Sequence, residues 1–292
     1  MYDVIIIGGG PAGLSCSIYC KRAGLNVCIL DKYLLGGNPL NYLEIENYLG
    51  AGKIQTTDLV DNYVKHIEEF DIPTFPFEEV IEVDLNNKIV KTTEQTLQAK
   101  YIVIATGSRP RMLNVKGEET FIGRGVHYCA ICDGPLYTGK KVAVIGGGNS
   151  ACEEALGLAK ICEHVHIIEF TDKLNAEQVT VDKIYNTSNI SVSLSTKVEE
   201  IIGEDKVTGI IINDGEKSKL DFDAVFPYIG MTANSDLFDV EKDHGFIITD
   251  ENMKTSVDGV YAIGDVRSKA YRQVVTAVSD GAIAAIHISK NL

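Results

Sequence analysis

Short β-branched apolar runs alternate along the chain with longer stretches whose apolar positions recur every three or four residues, and these two periods divide it into strands and helices. Residues 3–7 carry the apolar run Val4-Ile5-Ile6-Ile7, followed by glycines and then by a helical period that reaches Ala23. Residues 27–30 form a second buried strand after which the chain is loop-like from 34 to 48. An amphipathic helix follows over 57–70, with Leu59, Val60, Tyr63, Val64 and Ile67 on one face and Asp58 in its first turn. Alternation over 80–92, broken by Asn86-Asn87, predicts a hairpin, and 101–105 a buried strand. The strand, glycine turn, helix, strand order then returns at 141–145, 146–151, up to Ile161, and 165–168. A strand over 259–263 and an apolar helix from Val274 towards Ser289 complete the pattern. Buried strands alternating with helices predict an α/β fold with parallel sheets, and the repeat predicts two dinucleotide-binding domains.

The glycines give that repeat its chemistry. In Gly8-Gly9-Gly10-Pro11-Ala12-Gly13, Gly8 allows the tight turn, Gly10 lets backbone approach a pyrophosphate, and Gly13 lets helix pack on strand. Asp31 ends the second strand, where a carboxylate accepts a hydrogen bond from a ribose 2′-hydroxyl. Gly146-Gly147-Gly148-Asn149-Ser150-Ala151 repeats the turn, with Glu169 in the place of Asp31. A 2′-phosphate needs cations there, whereas Glu169-Phe170-Thr171-Asp172-Lys173-Leu174-Asn175 offers a carboxylate and one lysine, which disfavours NADPH. A nucleotide held at Gly146, Gly148, Asn149, Ser150 and Glu169 would lack that phosphate; alternatively, the second turn persists only to pack a helix on a strand.

Between the two turns lies Tyr128-Cys129-Ala130-Ile131-Cys132-Asp133-Gly134. Two thiols at this spacing can close to a disulfide, be reopened by two electrons, and attack a partner's disulfide, with Asp133 placed to move protons. Paired cysteines also ligate zinc, but zinc ribbons repeat the pair and no second pair exists here, so no metal site is expected. Cys16, Cys20, Cys28, Cys152 and Cys162 fall within apolar helix or strand patterns, as small buried hydrophobes.

Bulk properties narrow the partners. The 292 residues fit one large or two ordinary domains, and 45% hydrophobic content supplies real cores. With no apolar run long enough to span a bilayer and no leader-like N-terminus, the cytoplasm is expected. There a two-cysteine motif points to catalysis rather than to a staple. A net charge of −14 argues against nucleic acid and anionic membranes, leaving small molecules and proteins.

Over nearly its whole length the chain resembles the low-molecular-weight flavoprotein thioredoxin reductases. The matching residues are the Gly8-Gly9-Gly10-Pro11-Ala12-Gly13 opening, Glu46-Asn47-Tyr48, Ala105-Thr106-Gly107, Cys129 to Gly134, the segment from Gly146 to Ala155, and Gly264-Asp265-Val266 with Arg272-Gln273-Val274. The resemblance implies two Rossmann-like domains. An FAD domain, 1–114 and 243–292, would be discontinuous, and a domain over 115–242 carrying the dithiol would be inserted in it. FAD would meet Gly8, Gly10, Pro11, Ala12, Gly13, Asp31, Lys32, Gly37, Asn38, Asn47, Ala105, Thr106, Gly107, Gly264, Asp265, Arg272, Gln273 and Val274. By the same resemblance Cys132 exchanges electrons with the flavin, Cys129 attacks thioredoxin, Asp133 handles protons, the inserted domain rotates between the two partners, and the protein is a homodimer.

One region departs from that family. Its NADPH-dependent members carry a His-Arg-Arg cluster and a further arginine after the second strand; here the corresponding residues are Glu169, Phe170, Thr171 and Asn175. Loss of that clamp resembles the ferredoxin-dependent flavin thioredoxin reductases and the diflavin relatives. Reduced ferredoxin is therefore the expected donor, ahead of NADH and of a second FAD in the inserted domain. A ferredoxin would need a local basic face, for which Arg109, Arg111, Lys116, Arg267, Lys269 and Arg272 are candidates. A flavin redox sensor that cycles its disulfide without turnover is the alternative of a different class.

Overall fold

A computed structural model describes residues 1–41, 44–45 and 47–292, with the side chains of Glu44, Ile131 and Cys132 outside the description. Glu46, of the Glu46-Asn47-Tyr48 motif, thus lies outside the described residues. The chain divides into two compact units, one of Met1–Arg109 with Thr232–Leu292 and one of Pro110–Met231.

The first unit is built on parallel strands that are apolar because both of their faces are covered. Tyr2–Ile7 lies between Val27–Leu30 and Thr96–Ile104, and Thr74–Phe75 extends the sheet beyond Val27–Leu30. Thr96–Ile104 is shared between two pairings. Its first half pairs antiparallel with Ile89–Thr92, and its second half takes Val260–Ala262 in parallel. Period-2 geometry sends Val4, Ile6 and Val103 to one core and Ile5, Ile7, Ile102 and Ile104 to the other. Two helices, Pro11–Arg22 and Val274–Lys290, cover the first of these cores. They meet so closely that a Cβ on Gly281 would run into the Ala12 carbonyl oxygen. Expectation and structure agree on the amphipathic helix, Thr56–Glu68, and on the hairpin of Val80–Asp84 with Ile89–Thr92.

The second unit repeats the plan. Ile190–Ser193, His164–Ile168, Lys141–Ile145 and Ala224–Pro227 form a parallel sheet in that order. Asn149–Ala159 packs on one face with Val142 and Val144. On the other, Ala143 and Ile145 meet the antiparallel strands Lys197–Gly203, Val207–Asn213 and Lys217–Asp221. No helix of the described residues is long and apolar enough to cross a membrane.

The units part after Arg109 and after Met231, rather than at 114/115 and 242/243 as expected. Packing sets the second junction. Ala233, Phe238, Val240 and Ile247 all join the core around Ile5 and Ile7, so the segment following Thr232 belongs to the first unit.

Candidate active site

In the first unit the turn after Tyr2–Ile7 is held by sterics and by one carboxylate. Gly8 has φ +114°, and a Cβ there would strike the Ala105 carbonyl; a Cβ on Gly13 would strike the Gly8 carbonyl. Asp31 Oδ2 accepts from the Gly9 amide at 2.6 Å and Oδ1 from the Tyr33 amide at 2.7 Å. Burial raises the Asp31 pKa, partly offset by those two donors. Gly37 lies over the turn, with the position of a Cβ 2.9 Å from Gly10 Cα. Asn38 Nδ2 donates to the Ser108 carbonyl at 3.1 Å, and Lys32 points to Glu79 at 2.7 Å on the exposed surface.

Two remote segments converge on the same unit. Asn47 Nδ2 donates to Gln273 Oε1 at 3.1 Å, although the residues are 226 positions apart. Gln273 also caps the helix Val274–Lys290, and Gly264 donates its amide to the buried Asp280. Among the described residues, two buried atoms in this region have no hydrogen-bond partner: Asp265 Oδ1 and Arg272 Nε. The nearest charge to Asp265 Oδ1 is Lys269 Nζ, at 3.7 Å. Burial, against the nearby Lys269 and Arg272 charges, raises the Asp265 pKa. An unpartnered acceptor and an unpartnered donor fit a polar cofactor such as FAD, whose hydroxyls and ring heteroatoms supply both types. Asn234, which the sequence reading missed, fixes Thr106 and Gly107 through its backbone and side chain.

The second turn keeps the backbone and changes the surroundings. Gly146 has φ +122°, and a Cβ there would strike the Tyr228 carbonyl. Glu169 is 8% exposed; its Oε1 accepts from the Thr171 amide at 2.8 Å and hydroxyl at 2.7 Å. Its Oε2 lies 2.7 Å from where a Gly147 Cβ would be. Glu169 thus accepts from the amide two residues on, as Asp31 does from Tyr33, and lies beside Gly147, whereas Asp31 also accepts from the Gly9 amide. A Cβ on Gly148, in contrast, would meet nothing within 4 Å. Packing does not require that glycine, so the space over it remains for a ligand. A cavity of ≈ 510 Å³ opens there, lined by Gly146–Gly148, Glu169, Phe170, Tyr228 and the cations Arg111 and Lys197, among others. These two cations reach the cavity wall from elements outside 169–175, which itself supplies only the one lysine expected of it.

Cys129 is half-buried and disulfide-bonded, and Cys132 falls in the short helix Ala130–Asp133, its side chain outside the description. Three tethers fix this segment. Tyr128 donates to Glu118 at 2.8 Å, and Glu118, 1% exposed, also accepts from the Leu113 and Asn114 amides. Ala130 donates its amide to the Tyr228 hydroxyl at 2.8 Å. Asp133 Oδ2 stands 3.0 Å from His127 Nδ1, whose Nε2 stands 2.9 Å from the Tyr137 hydroxyl. None of Glu118, Tyr228, His127 and Tyr137 is signalled by local spacing. The buried thiols are a contrast: burial pushes Cys28 up to about 12 and Cys152 and Cys162 up to about 11, which keeps them protonated and unreactive.

Several basic candidates are already engaged. Arg109 pairs with Asp236, Lys116 with Glu200, and Arg267 and Lys269 with the buried Asp280. Arg272 stacks over Phe246 at 4.0 Å.

Two dinucleotide turns in separate units, one of which also carries a disulfide, define a class of redox protein in which nucleotide cofactors serve a thiol pair. The chain belongs to the family described as pyridine nucleotide-disulphide oxidoreductase, whose model matches residues 2–281. It is an oxidoreductase acting on a sulfur group, of the thioredoxin-disulfide reductase type. It is 40% identical to a thioredoxin reductase of Ureaplasma parvum over 98% of this chain and 96% of the relative. Among solved structures it resembles thioredoxin reductase of Lactococcus lactis at TM-score 0.94 and 35% identity, covering 99% and 98% of the two chains. A ferredoxin-flavin thioredoxin reductase of Clostridium acetobutylicum resembles it less, at TM-score 0.55 and 29% identity over 99% and 97%.

Proposed function

We propose that this chain reduces the disulfide of a thioredoxin, taking electrons from a pyridine nucleotide without a 2′-phosphate through FAD and the Cys129–Cys132 pair. The family and the unpartnered Asp265 Oδ1 and Arg272 Nε support FAD in the first unit. When bound, FAD supplies the exchange of an electron pair between a nicotinamide and a disulfide. The chain's own residues do the rest. Gly8, Gly10 and Gly13 admit the pyrophosphate, Asp31 receives a ribose hydroxyl, and Asn47, Gln273, Asp265 and Arg272 orient the remainder. Reduced Cys129 attacks the substrate disulfide, Cys132 resolves the mixed disulfide, and Asp133 supplies a proton to the departing thiolate.

One observation carries the choice of donor: Glu169 holds the strand-end place of Asp31, its carboxylate likewise bonded to the amide two residues on, beside an open Gly148. A carboxylate there accepts from a free 2′-hydroxyl and repels a phosphate, which supports NADH. NADPH is the second reading, favoured by Arg111 and Lys197 in the cavity wall. Ferredoxin is not carried forward, because most of its candidate docking cations are neutralised by internal acids. A second FAD is likewise set aside, since nothing observed in the cavity favours it over a nicotinamide nucleotide.

The test is anaerobic mixing with NADH, NADPH and photoreduced ferredoxin, following flavin bleaching, and then turnover with oxidised thioredoxin. NADH should bleach the flavin fastest, and Glu169→Ala should weaken its binding about tenfold, the order of one hydrogen bond to a charged group. Reduction by ferredoxin alone, or a preference for NADPH, would overturn the donor assignment. One stoichiometric reduction without turnover would make the protein a sensor instead.

A further inference from the structure

Phe170 is a large apolar ring with no part in the reduction described above. It is 72% exposed, and of the described residues that line the cavity over Gly146–Gly148 it alone is large, apolar and exposed. It joins neither core of the second unit. A single exposed apolar side chain is ordinary on a protein surface, but the backbone on both sides of this one is fastened. The Glu169 carbonyl accepts from the Thr196 amide at 3.0 Å, and the Thr171 carbonyl from the Ser195 amide at 2.8 Å. The far end of the same loop is tied to the glycine turn, where the Asn175 amide donates to the Gly147 carbonyl at 2.7 Å. The first unit supplies the contrast. There the residue after the strand-end carboxylate is Lys32, whose ammonium pairs with Glu79 at 2.7 Å.

We infer that Phe170 is the platform on which the adenine of the pyridine nucleotide stacks, and so a residue that binds the donor's base. The inference rests on the proposed use of a pyridine nucleotide in this cavity. The order of the ligand's parts follows from the residues already placed. The turn glycines and the positive end of the helix Asn149–Ala159 would take the pyrophosphate, and Glu169 the adenosine ribose. The base is joined to that ribose, so it has to lie by the neighbours of Glu169. Phe170 adjoins Glu169 in the chain, and Thr196 is bonded to its carbonyl; both line the cavity.

An aromatic face suits this place because every base has a π face, and stacking takes apolar surface of both rings out of water. The fastened loop has already lost its freedom, so little further ordering opposes the contact. Two adjacent residues then divide the work. Phe170 holds the adenine that NADH, NADPH and ADP-ribose share, and Glu169 reads what stands at the 2′ position.

The experiment uses the flavin-loaded protein and ADP-ribose, which carries the adenine half of the nucleotide and cannot reduce a flavin. The chain has no tryptophan, so Phe170→Trp puts one indole at the site. Its emission should fall when ADP-ribose is added and stay level with ribose 5-phosphate, which lacks the base. By calorimetric titration Phe170→Ser should weaken ADP-ribose about tenfold, the order of one base–aromatic stack, and Phe170→Tyr should bind it as wild type does. With NADH in steady state, Phe170→Ser should raise KM by a similar factor and hold kcat, the mark of lost uniform binding. Circular dichroism and flavin content check folding, which a ring outside both cores should not decide. Indole emission that ADP-ribose does not alter would overturn the platform, as would Phe170→Ser that binds as tightly as wild type or Phe170→Tyr that binds as weakly as Phe170→Ser. Wild-type protein that binds neither ADP-ribose nor NADH would overturn the parent reading before any variant is compared. A preference for NADPH would overturn the choice of donor alone, because both nucleotides carry the adenine that the ADP-ribose titration reads.

Discussion

The turn at Gly8–Gly13 and the turn at Gly146–Ala151 share a backbone but differ in what closes over them. Gly8 and Gly146 take the same left-handed φ, and each abuts the carbonyl that ends a neighbouring strand, Ala105 in one case and Tyr228 in the other. In both units a later segment folds back on the middle glycine, the Gly36 amide on the Gly9 carbonyl at 2.8 Å and the Asn175 amide on the Gly147 carbonyl at 2.7 Å. The difference lies one residue on, where Gly37 stands against Gly10 and nothing stands within 4 Å of a Gly148 Cβ. A helix position makes the difference chemical as well: Cys16 and Glu154 stand at equal distances from their turns, both buried, one a thiol and the other a carboxyl. The lesson is that one motif serves two kinds of occupancy. The enclosed turn suits a resident group, and the open turn suits a ligand that comes and goes.

The sharpest way to break that comparison is to add one methyl group to each unit. Gly8→Ala should cost at least about 3 kcal/mol, because left-handed φ alone costs an alanine 1–2 and the Ala105 carbonyl has no room to move. Gly148→Ala should leave stability within about 0.5 kcal/mol, since its φ of −81° suits alanine and the space is open. It should weaken nucleotide binding instead. Urea unfolding and nucleotide titration of the two variants measure both effects; equal destabilisation would mean that the second turn is packing alone.

Glu154 offers the next largest effect. Burial, aided by Glu153, pushes its pKa from the ordinary 4.5 up to about 7. The unfolded chain then ionises this group more readily than the folded one. Its stabilising effect is full below about pH 4.5, declines as pH rises, and is gone above about 7. Glu154→Gln, which stays neutral, should raise stability at pH 8 by up to about 3 kcal/mol and change little at pH 4. Cys16→Ser at the matching position should show no such pH dependence over that range. Parallel pH-stability curves for wild type and Glu154→Gln would remove the carboxyl from the account.

How far the molecule was legible follows from which forces act locally. The central strands were legible because a strand covered on both faces must be apolar throughout, as at 4–7 and 142–145. Between 175 and 259 the pattern fails. Ile190–Ser193 is half-buried along its length, Lys197–Gly203 is broken by register shifts, and Lys217–Asp221 places its charges outward. The turn glycines at 8, 13 and 146 were legible because sterics permit few residues there. The partners of the site were not: Asn234 meets Thr106 across 128 positions and Tyr228 meets Ala130 across 98. His127 stood beside the dithiol in sequence, yet only folding shows that its two nitrogens reach Asp133 and Tyr137. Arg111 and Lys197 likewise entered the cavity from elements that the strand-end pattern does not include.

The smallest effect concerns how the second turn is joined to the dithiol. Where the first unit has Ala105 against its glycine, the second has Tyr228, and the added phenol reaches out to accept the Ala130 amide at 2.8 Å. Ala130 is 4% exposed, so its amide has little water to turn to when that acceptor is removed. Tyr228→Phe preserves the ring and deletes the acceptor, and should therefore lower stability by about 1 kcal/mol, the typical net worth of a neutral hydrogen bond. Exchange of the Ala130 amide with solvent should quicken at the same time, while the first unit's amides keep their protection. If the dithiol helix is held by its packing on Asn149–Ala159 alone, Tyr228→Phe will leave both quantities where they were. The second turn would then carry the disulfide only by proximity.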